Sequence, residues 1–591
     1  MKLKILIIVA SSLLFLLGCS AGDESTPTGS RNLPIPEDAL IIETEGEVGG
    51  SLHYPLLAEP STFNFLYAQE NRAKLVAHLT TATLLEFDPV QHTVTGGICR
   101  QWKVSEDGQT VTLTLRKGVR FSDGVPLSAK DVLFTFEKIY EEDSKNTVKD
   151  ALLIDGKPLL VTAIDSHTLE IKFPAPYAAA PYILTTVPIF PRHLFREPAK
   201  KIEEYWNLGT PPQEMAGLGP FVLDVHQAGE KSVFRFNPHY WKVDRHRTRL
   251  PYLEELVFHY IQERNTQLLR FQACELDLLD HYLRPEDLEE LKSEKVNLQD
   301  AGPSNNLSFF WLNLNTGRDA ASGKHYLSAQ KREWFGNLKF RQAISTGISR
   351  DTIVRNVYLG HAQPAWSLVP SSLQTWYTAD ARRYEYNPSR AREFLQEAGF
   401  SWKKDGPGEV LVDSKGRPVE LEILSRADDI SGKIAAIIQQ DLEKIGMRVT
   451  VRQEEFRAVI SRILGSRRYD AAIMNIELPV EPVDHMNVLL SSGPMHMWNP
   501  NQSRPASKWE KQIDELMFQQ VTTLDQQRRQ RLYREVQHIL GEQVPIIPLV
   551  HRDSLIASKK RLKNVRPSSL FPYSLWNVWE LWVDDEISND E

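Results

Sequence analysis

The stretch from Gly432 to Ile476 constrains the fold most, because the spacing of its apolar residues changes period. Ile434, Ile437, Ile438, Leu442 and Ile445 recur at helical spacing, Gly446 follows where a left-handed cap is favoured, and Met447, Val449 and Val451 then alternate as a strand. A second amphipathic stretch, Arg457 to Leu464, leads into Tyr469-Asp470-Ala471-Ala472-Ile473-Met474, a short apolar run suited to a central strand. Strand and helix in alternation predict an α/β fold, with parallel or mixed sheets flanked by helices on both faces.

The rest of the chain adds further sheets. Trp102 to Gly124 places an Asp107-Gly108 turn before Val111, Leu113 and Leu115, which alternate with Thr112 and Thr114, so a hairpin with one buried face is expected. Asn387-Pro388-Ser389 opens a helix with an Asn cap and Pro in the first turn, closed at Gly399. Leu532, Val536, Ile539 and Leu540 mark another helix, ended near Gly541, before an extended path from Pro545 to Val550. With 591 residues and no visible repeat, two or more domains are expected.

Chemistry is harder to find. There is no G-x-S-x-G elbow, no G-x-x-x-x-G-K-[ST] loop, no H-E-x-x-H and no C-x-x-C, and Gly217-Leu218-Gly219 lacks the third glycine of a dinucleotide fingerprint because Val222 stands there. Met486, Met495, His496 and Met497 read as loop packing rather than a soft-metal site. Acidic residues outnumber basic ones, 77 to 69, so nothing advertises nucleic-acid binding. No enzyme, cofactor or metal is expected from these patterns.

The start of the chain is an address. Lys2 and Lys4 precede an apolar run from Ile5 to Leu17, too short to span a membrane comfortably and typical of an export signal. The run ends in Leu16-Leu17-Gly18-Cys19, which resembles a bacterial lipobox, with residues 1–18 as signal peptide and Cys19 as the lipidated residue. Acyl chains on Cys19 would anchor the protein to a bilayer without a spanning helix. Residues 19–46, rich in Ser, Gly, Pro, Thr, Asp and Glu, are expected as a flexible tether.

Gly97 to Glu137, with its Trp, its Asp-Gly turn and Leu115-Arg116-x-Gly118-Val119-x-Phe121-x-Asp123-Gly124, resembles the signature stretch of family 5 extracellular solute-binding proteins. The likeness continues in order through Gly219-Pro220-Phe221, Phe236-Asn237-Pro238-x-Tyr240-Trp241, Leu250-Pro251-Tyr252-Leu253, Glu275-Leu276-Asp277, Leu312-Asn313-Leu314-Asn315, Phe340-Arg341-Gln342-Ala343 and Tyr386-Asn387-Pro388, ending within Asp525 to Pro548. It implies a type II periplasmic-binding-protein fold of two lobes and an extra domain. Lobe I would hold 47–78, 206–300 and 546–591, the extra domain 79–205, and lobe II 301–545. The implied function is capture of an oligopeptide or peptide-like ligand between the lobes and delivery to the permease subunits of an ABC importer. The protein would be a monomer on the periplasmic side of the cell envelope. A nickel chelate, haem or an oligosaccharide is the alternative ligand, and a sensory or assembly lipoprotein the alternative role.

In peptide-binding members an acidic side chain in a Gly-Trp-x-x-Asp pattern pairs with the ligand's amine. The matching stretch here is Asn475-Ile476-Glu477-Leu478-Pro479, so Ile476 replaces the Trp and Pro479 the Asp. Glu477, Glu481 and Asp484 are nearby carboxylates that could serve instead from a shifted loop. Further cleft candidates are Asn64, Phe65 and Tyr67 after the first strand, Trp311 and Asn313 at the entry to the second lobe, and Trp498. For the aromatic members the alternative is ordinary core packing. Cys99 and Cys274 fall in different implied domains and are expected as two buried thiols.

Overall fold

The computed structural model describes residues 31–584, apart from 143, 145, 198–200, 281, 282 and 501. Cys19 and the signal segment lie outside the described residues. The largest sheet has seven strands: β1 Leu278–Leu279, β2 Val296–Leu312, β3 Ala362–Pro364, β4 Glu420–Arg426, β5 Arg448–Glu454, β6 Ala471–Glu477 and β7 Ile546–Lys559. They lie in the order β1-β7-β2-β6-β4-β5, with β3 paired to β7. β4 runs parallel to both β5 and β6, whereas the pairings of β2 with β6 and β7 are antiparallel, so the sheet is mixed.

The β4–helix–β5 crossover follows the apolar spacing. Asp428 caps the helix Asp429–Lys444 by accepting from the Ser431 N–H, and Ile434, Ile438, Leu442 and Ile445 have no exposed surface. Burial of each stabilises the unit by about 2 kcal/mol. Gly446 then turns at φ +94°, a conformation that L side chains rarely adopt, and any Cβ there would stand 2.7 Å from Trp402 Nε1. The second expected helix begins as Phe456–Ile460 and widens into a π-turn at Ser461–Ser466. The helix Gln526–Gln543 does not stop at Gly541; it ends at Val544, left-handed at φ 51°. Gly541 is used for close packing, since a Cβ there would lie 3.1 Å from Arg382 Cβ.

Two four-stranded sheets build the other half. One orders Ser51–Leu56, Glu255–Tyr260, Lys231–Phe236 and Phe221–Gln227; the other is the antiparallel set Cys99–Val104, Thr110–Leu115, Thr168–Lys172 and Leu160–Ala163. Val111, Leu113 and Leu115 face inward as expected of the hairpin. Both sheets feed one continuous core that joins Leu52, Leu113, Phe190, Phe221 and Trp241. Gly219 is part of that junction: a Cβ there would sit 2.3 Å from the Leu79 carbonyl oxygen, at the end of the helix Asn71–Thr80.

Residues 31–46 correct the expected tether. Leu40–Ile42 pairs in parallel with Lys242–Asp244, and Arg31 donates to the carbonyls of Pro251 (2.6 Å) and Leu253 (3.2 Å) while its guanidinium lies 4.1 Å over the Phe236 ring. Polar composition hid these anchors, because backbone pairing and one arginine, rather than apolar area, hold the segment.

The two strands β2 and β7 pass from one hydrophobic core to another. At one end Leu307 to Trp311 pair with His551 to Ile546, and Ile547, Leu549 and Val550 share a core with Ile434, Ile438 and Leu442 of the helix Asp429–Lys444. At the far end Val296 to Asp300 pair with Lys559 to Leu555, over a separate small core of Phe271, Leu276, Leu291 and Ala557. The register breaks between Asp300 and Leu307. Each core is thus closed on its own side of a weakened ladder, the arrangement from which hinges are made.

Cys99 and Cys274 are unbonded; Cys99 is buried, but Cys274 is partly exposed, its Sγ 3.1 Å from Lys559 Nζ. The expectation of two buried thiols therefore holds for only one.

Candidate functional site

Between the core that holds Ala179 and Tyr182 and the core that holds Leu373 and Trp376 lies a cavity of about 240 Å³. Phe87, His92 and Tyr182 line one wall, and Trp376, Glu481 and Arg529 the other. The lobes meet beside it: the Ala178 N–H donates to the Val521 carbonyl at 2.7 Å, and the Tyr573 hydroxyl donates to Glu477 at 3.0 Å. Asn71 Nδ2 reaches the same hydroxyl at 3.4 Å.

The loop after β6 sets the floor, and its shape follows from a few polar contacts. Leu478 is held on both sides by Asn305, its N–H donating to the Asn305 carbonyl at 3.0 Å and its own carbonyl accepting from Asn305 Nδ2 at 2.5 Å. Pro479, where the amine-binding Asp is missing, presents its carbonyl to His485 Nε2 at 2.8 Å. That bond makes Nε2 the protonated nitrogen, so the Tyr533 hydroxyl donates to Nδ1. Burial pushes the His485 pKa down to about 4, so the ring is neutral near pH 7, consistent with this tautomer.

The three carboxylates have different fates. Glu477 is exposed and accepts from Tyr573. Glu481 is buried in an ion pair with Arg529, whose guanidinium also stacks 5.0 Å over Trp376. Burial raises the Glu481 pKa, and the Arg529 charge only partly opposes it. Asp484 accepts no hydrogen bond from any described residue. Its surface is exposed and neither it nor Glu477 is among the residues that line the cavity, but the protein packed around it, first, and the Glu481 charge, second, raise its pKa to about 7. Its field also reaches the Tyr177 and Tyr182 hydroxyls, whose pKa values burial raises.

The other expected site residues are structural. Asn64 is buried, caps the turn Phe65–Tyr67 and donates to the carbonyls of Ile202 and Tyr205. Phe65 stacks on Phe190 with ring centroids 4.1 Å apart, inside the core. Tyr67 is half-buried and bonds Ser144 at 3.0 Å. Trp311 has no exposed surface and donates to the Tyr469 hydroxyl at 3.1 Å. Asn313 is buried too, donating to the carbonyls of Arg467 and Tyr469. Ile476 packs at the edge of the Trp311 core, and Trp498 is fully buried with Nε1 directed at Glu510. None of these seven lines the cavity. Sequence reasoning missed Arg529, although it was within reach: Arg529, Tyr533, Val536 and Leu540 share one buried helical stripe, and an arginine on such a stripe must find an acid.

Two cores joined by crossing strands, with a cavity between them, are the architecture of the bilobal ligand-binding proteins. Residues 93–493 match the family described as bacterial extracellular solute-binding proteins, family 5 Middle. The chain belongs to that family. It is similar to a probable ABC transporter-binding protein of Deinococcus radiodurans, 27% identical over 85% of this chain and 87% of that one. Di/tripeptide-binding protein 1 of Pseudomonas aeruginosa is likewise 27% identical, over 85% of this chain and 88% of its own. The fold is shared with the oligopeptide-binding protein AppA from Bacillus subtilis, solved in complex with a nonapeptide, at a TM-score of 0.68 and 21% identity over 91% of this chain and 100% of that one. These relatives are named as binding proteins, not enzymes. Among the described residues no helix is long and apolar enough to cross a membrane.

Proposed function

We propose that this family 5 protein captures a peptide or peptide-like ligand carrying a cationic group in the interlobe cavity and delivers it to the permease of an ABC importer. The observation that carries the ligand reading is the state of the three carboxylates. Glu481 is engaged by Arg529 and Glu477 by Tyr573, which leaves Asp484 as the acid without a donor among the described residues. An ammonium group brought to Asp484 would ionise it and form a charge-assisted hydrogen bond, replacing the anchor lost at Pro479. Arg529, which does line the cavity, has its Nε buried without an acceptor and offers a complementary donor. The peptide-binding names among the relatives favour the same class of ligand.

The test is calorimetric titration of free and N-acetylated short peptides into the wild type and into Glu477→Gln, Glu481→Gln and Asp484→Asn. Loss of affinity in Asp484→Asn for free peptides alone is expected. Equal affinity in all four proteins removes the carboxylate from the ligand's recognition, and a repeated non-peptide mass co-purifying with the protein overturns the ligand class.

Anchoring through a lipid on Cys19 belongs to the same proposal and rests on the Leu16-Leu17-Gly18-Cys19 motif. Because Arg31 is packed, a spacer after Cys19 can be no longer than residues 20–30, at most roughly 36 Å at full extension. Mass analysis of the N-terminal peptide, together with membrane fractionation, tests both the lipid and which membrane holds it.

A further inference from the structure

A second polar cluster lies away from the cleft, where β2 and β7 cross between lobes. Asp300 is on β2, Asp553 on β7 opposite Pro303, and His361 immediately precedes β3. One ligand atom from each lies within 4.8 Å of the others. Asp300 Oδ2 is 3.1 Å from His361 Nδ1, and the backbone ties the second pair, the Asp553 N–H donating to the His361 carbonyl at 3.1 Å. These three residues are absent from the lining of the interlobe cavity.

The cluster is unfinished as protein alone. Asp553 Oδ1 has no accessible surface and no hydrogen-bond partner, and a buried acceptor in that condition is destabilising. A buried unsatisfied oxygen beside a second acid and an imidazole is a reason to look for an ion. Two carboxylates and one imidazole suit a first-row divalent cation better than Ca²⁺, which takes oxygen ligands alone.

We infer that Asp300, His361 and Asp553 form a binding site for a first-row divalent cation such as Zn²⁺ at the interlobe crossing. Such an ion would neutralise the two acids, satisfy Asp553 Oδ1 and tie both crossing strands to β3 at the point where their ladder is broken. It would stiffen the hinge without touching the ligand. Lys433 and Arg552 line the same recess and temper the affinity.

The experiment uses the full chain in detergent, stripped with a chelator and dialysed, with ZnCl₂ and MnCl₂ as probes. One equivalent of Zn²⁺ is expected by calorimetry and by elemental analysis after gel filtration, accompanied by a rise in melting temperature. His361→Gln and Asp553→Asn should each weaken binding about tenfold or more and abolish the rise, while their metal-free melting temperatures match or exceed that of the stripped wild type. Absence of stoichiometric metal in the wild type, or the same stoichiometry and affinity in both variants, would overturn the assignment.

Discussion

Replacing Arg529 with methionine tests how the cleft wall is held together. The side chains of Arg529 and Glu481 are 5% and 10% exposed, so the pair is desolvated, and the guanidinium also bonds Gln526 Oε1 at 3.3 Å. Methionine keeps much of the stem and the contact with Trp376 but removes the charge. Glu481, already raised by burial, then loses the one influence holding its pKa down. A carboxyl raised in the folded state costs stability as pH climbs above its unfolded value near 4.5 and through the folded one. Breaking a buried pair by removing one partner costs ~3–5 kcal/mol, and the lower end of that range, about 3 kcal/mol, is expected at pH 8. At pH 5, only about half a unit above the unfolded value, the cost stays below about 1 kcal/mol however far the folded pKa is raised. For a unit of this size the melting temperature should drop by about 6 °C at pH 8 and by less than about 2 °C at pH 5. Adding Glu481→Gln should recover most of the loss at pH 8. Equal drops at both pH values, or a double variant no better than the single one, would refute a buried charge as the cause.

Tyr573→Phe removes an interlobe hydrogen bond to Glu477 and should weaken ligand binding about fivefold, with a larger radius of gyration by X-ray scattering; an unchanged Kd and radius contradict its role in closure. Gly219→Ala forces a Cβ to 2.3 Å from the Leu79 carbonyl and should cost at least about 1–3 kcal/mol, read as a lower melting temperature. Cys99, buried and with its thiol pKa pushed up to about 12, should resist a disulfide reagent in the folded protein while partly exposed Cys274 reacts; equal rates would show that Cys99 is accessible.

Local physics made much of this protein readable in one dimension. The β4–helix–β5 crossover, the Asn387 cap and the hairpin around Gly108 follow from apolar period, capping chemistry and turn residues, each acting over a few neighbours. The family signature was legible for the same reason, as a series of short motifs in fixed order. What depended on distant partners was not. Arg31 finds carbonyls 220 and 222 residues away, and so orders a segment whose composition reads as linker. Trp311, Trp498 and Asn313 were plausible cleft residues until packing placed them inside, because an aromatic or an amide fits a core and a pocket equally well in sequence. The loop after Pro479 holds three acids within eight residues, from Glu477 to Asp484, and nothing local separates them. Tertiary structure does, by giving Glu481 an arginine, Glu477 a tyrosine and Asp484 no donor among the described residues, since charge partners are assigned by three-dimensional distance and burial.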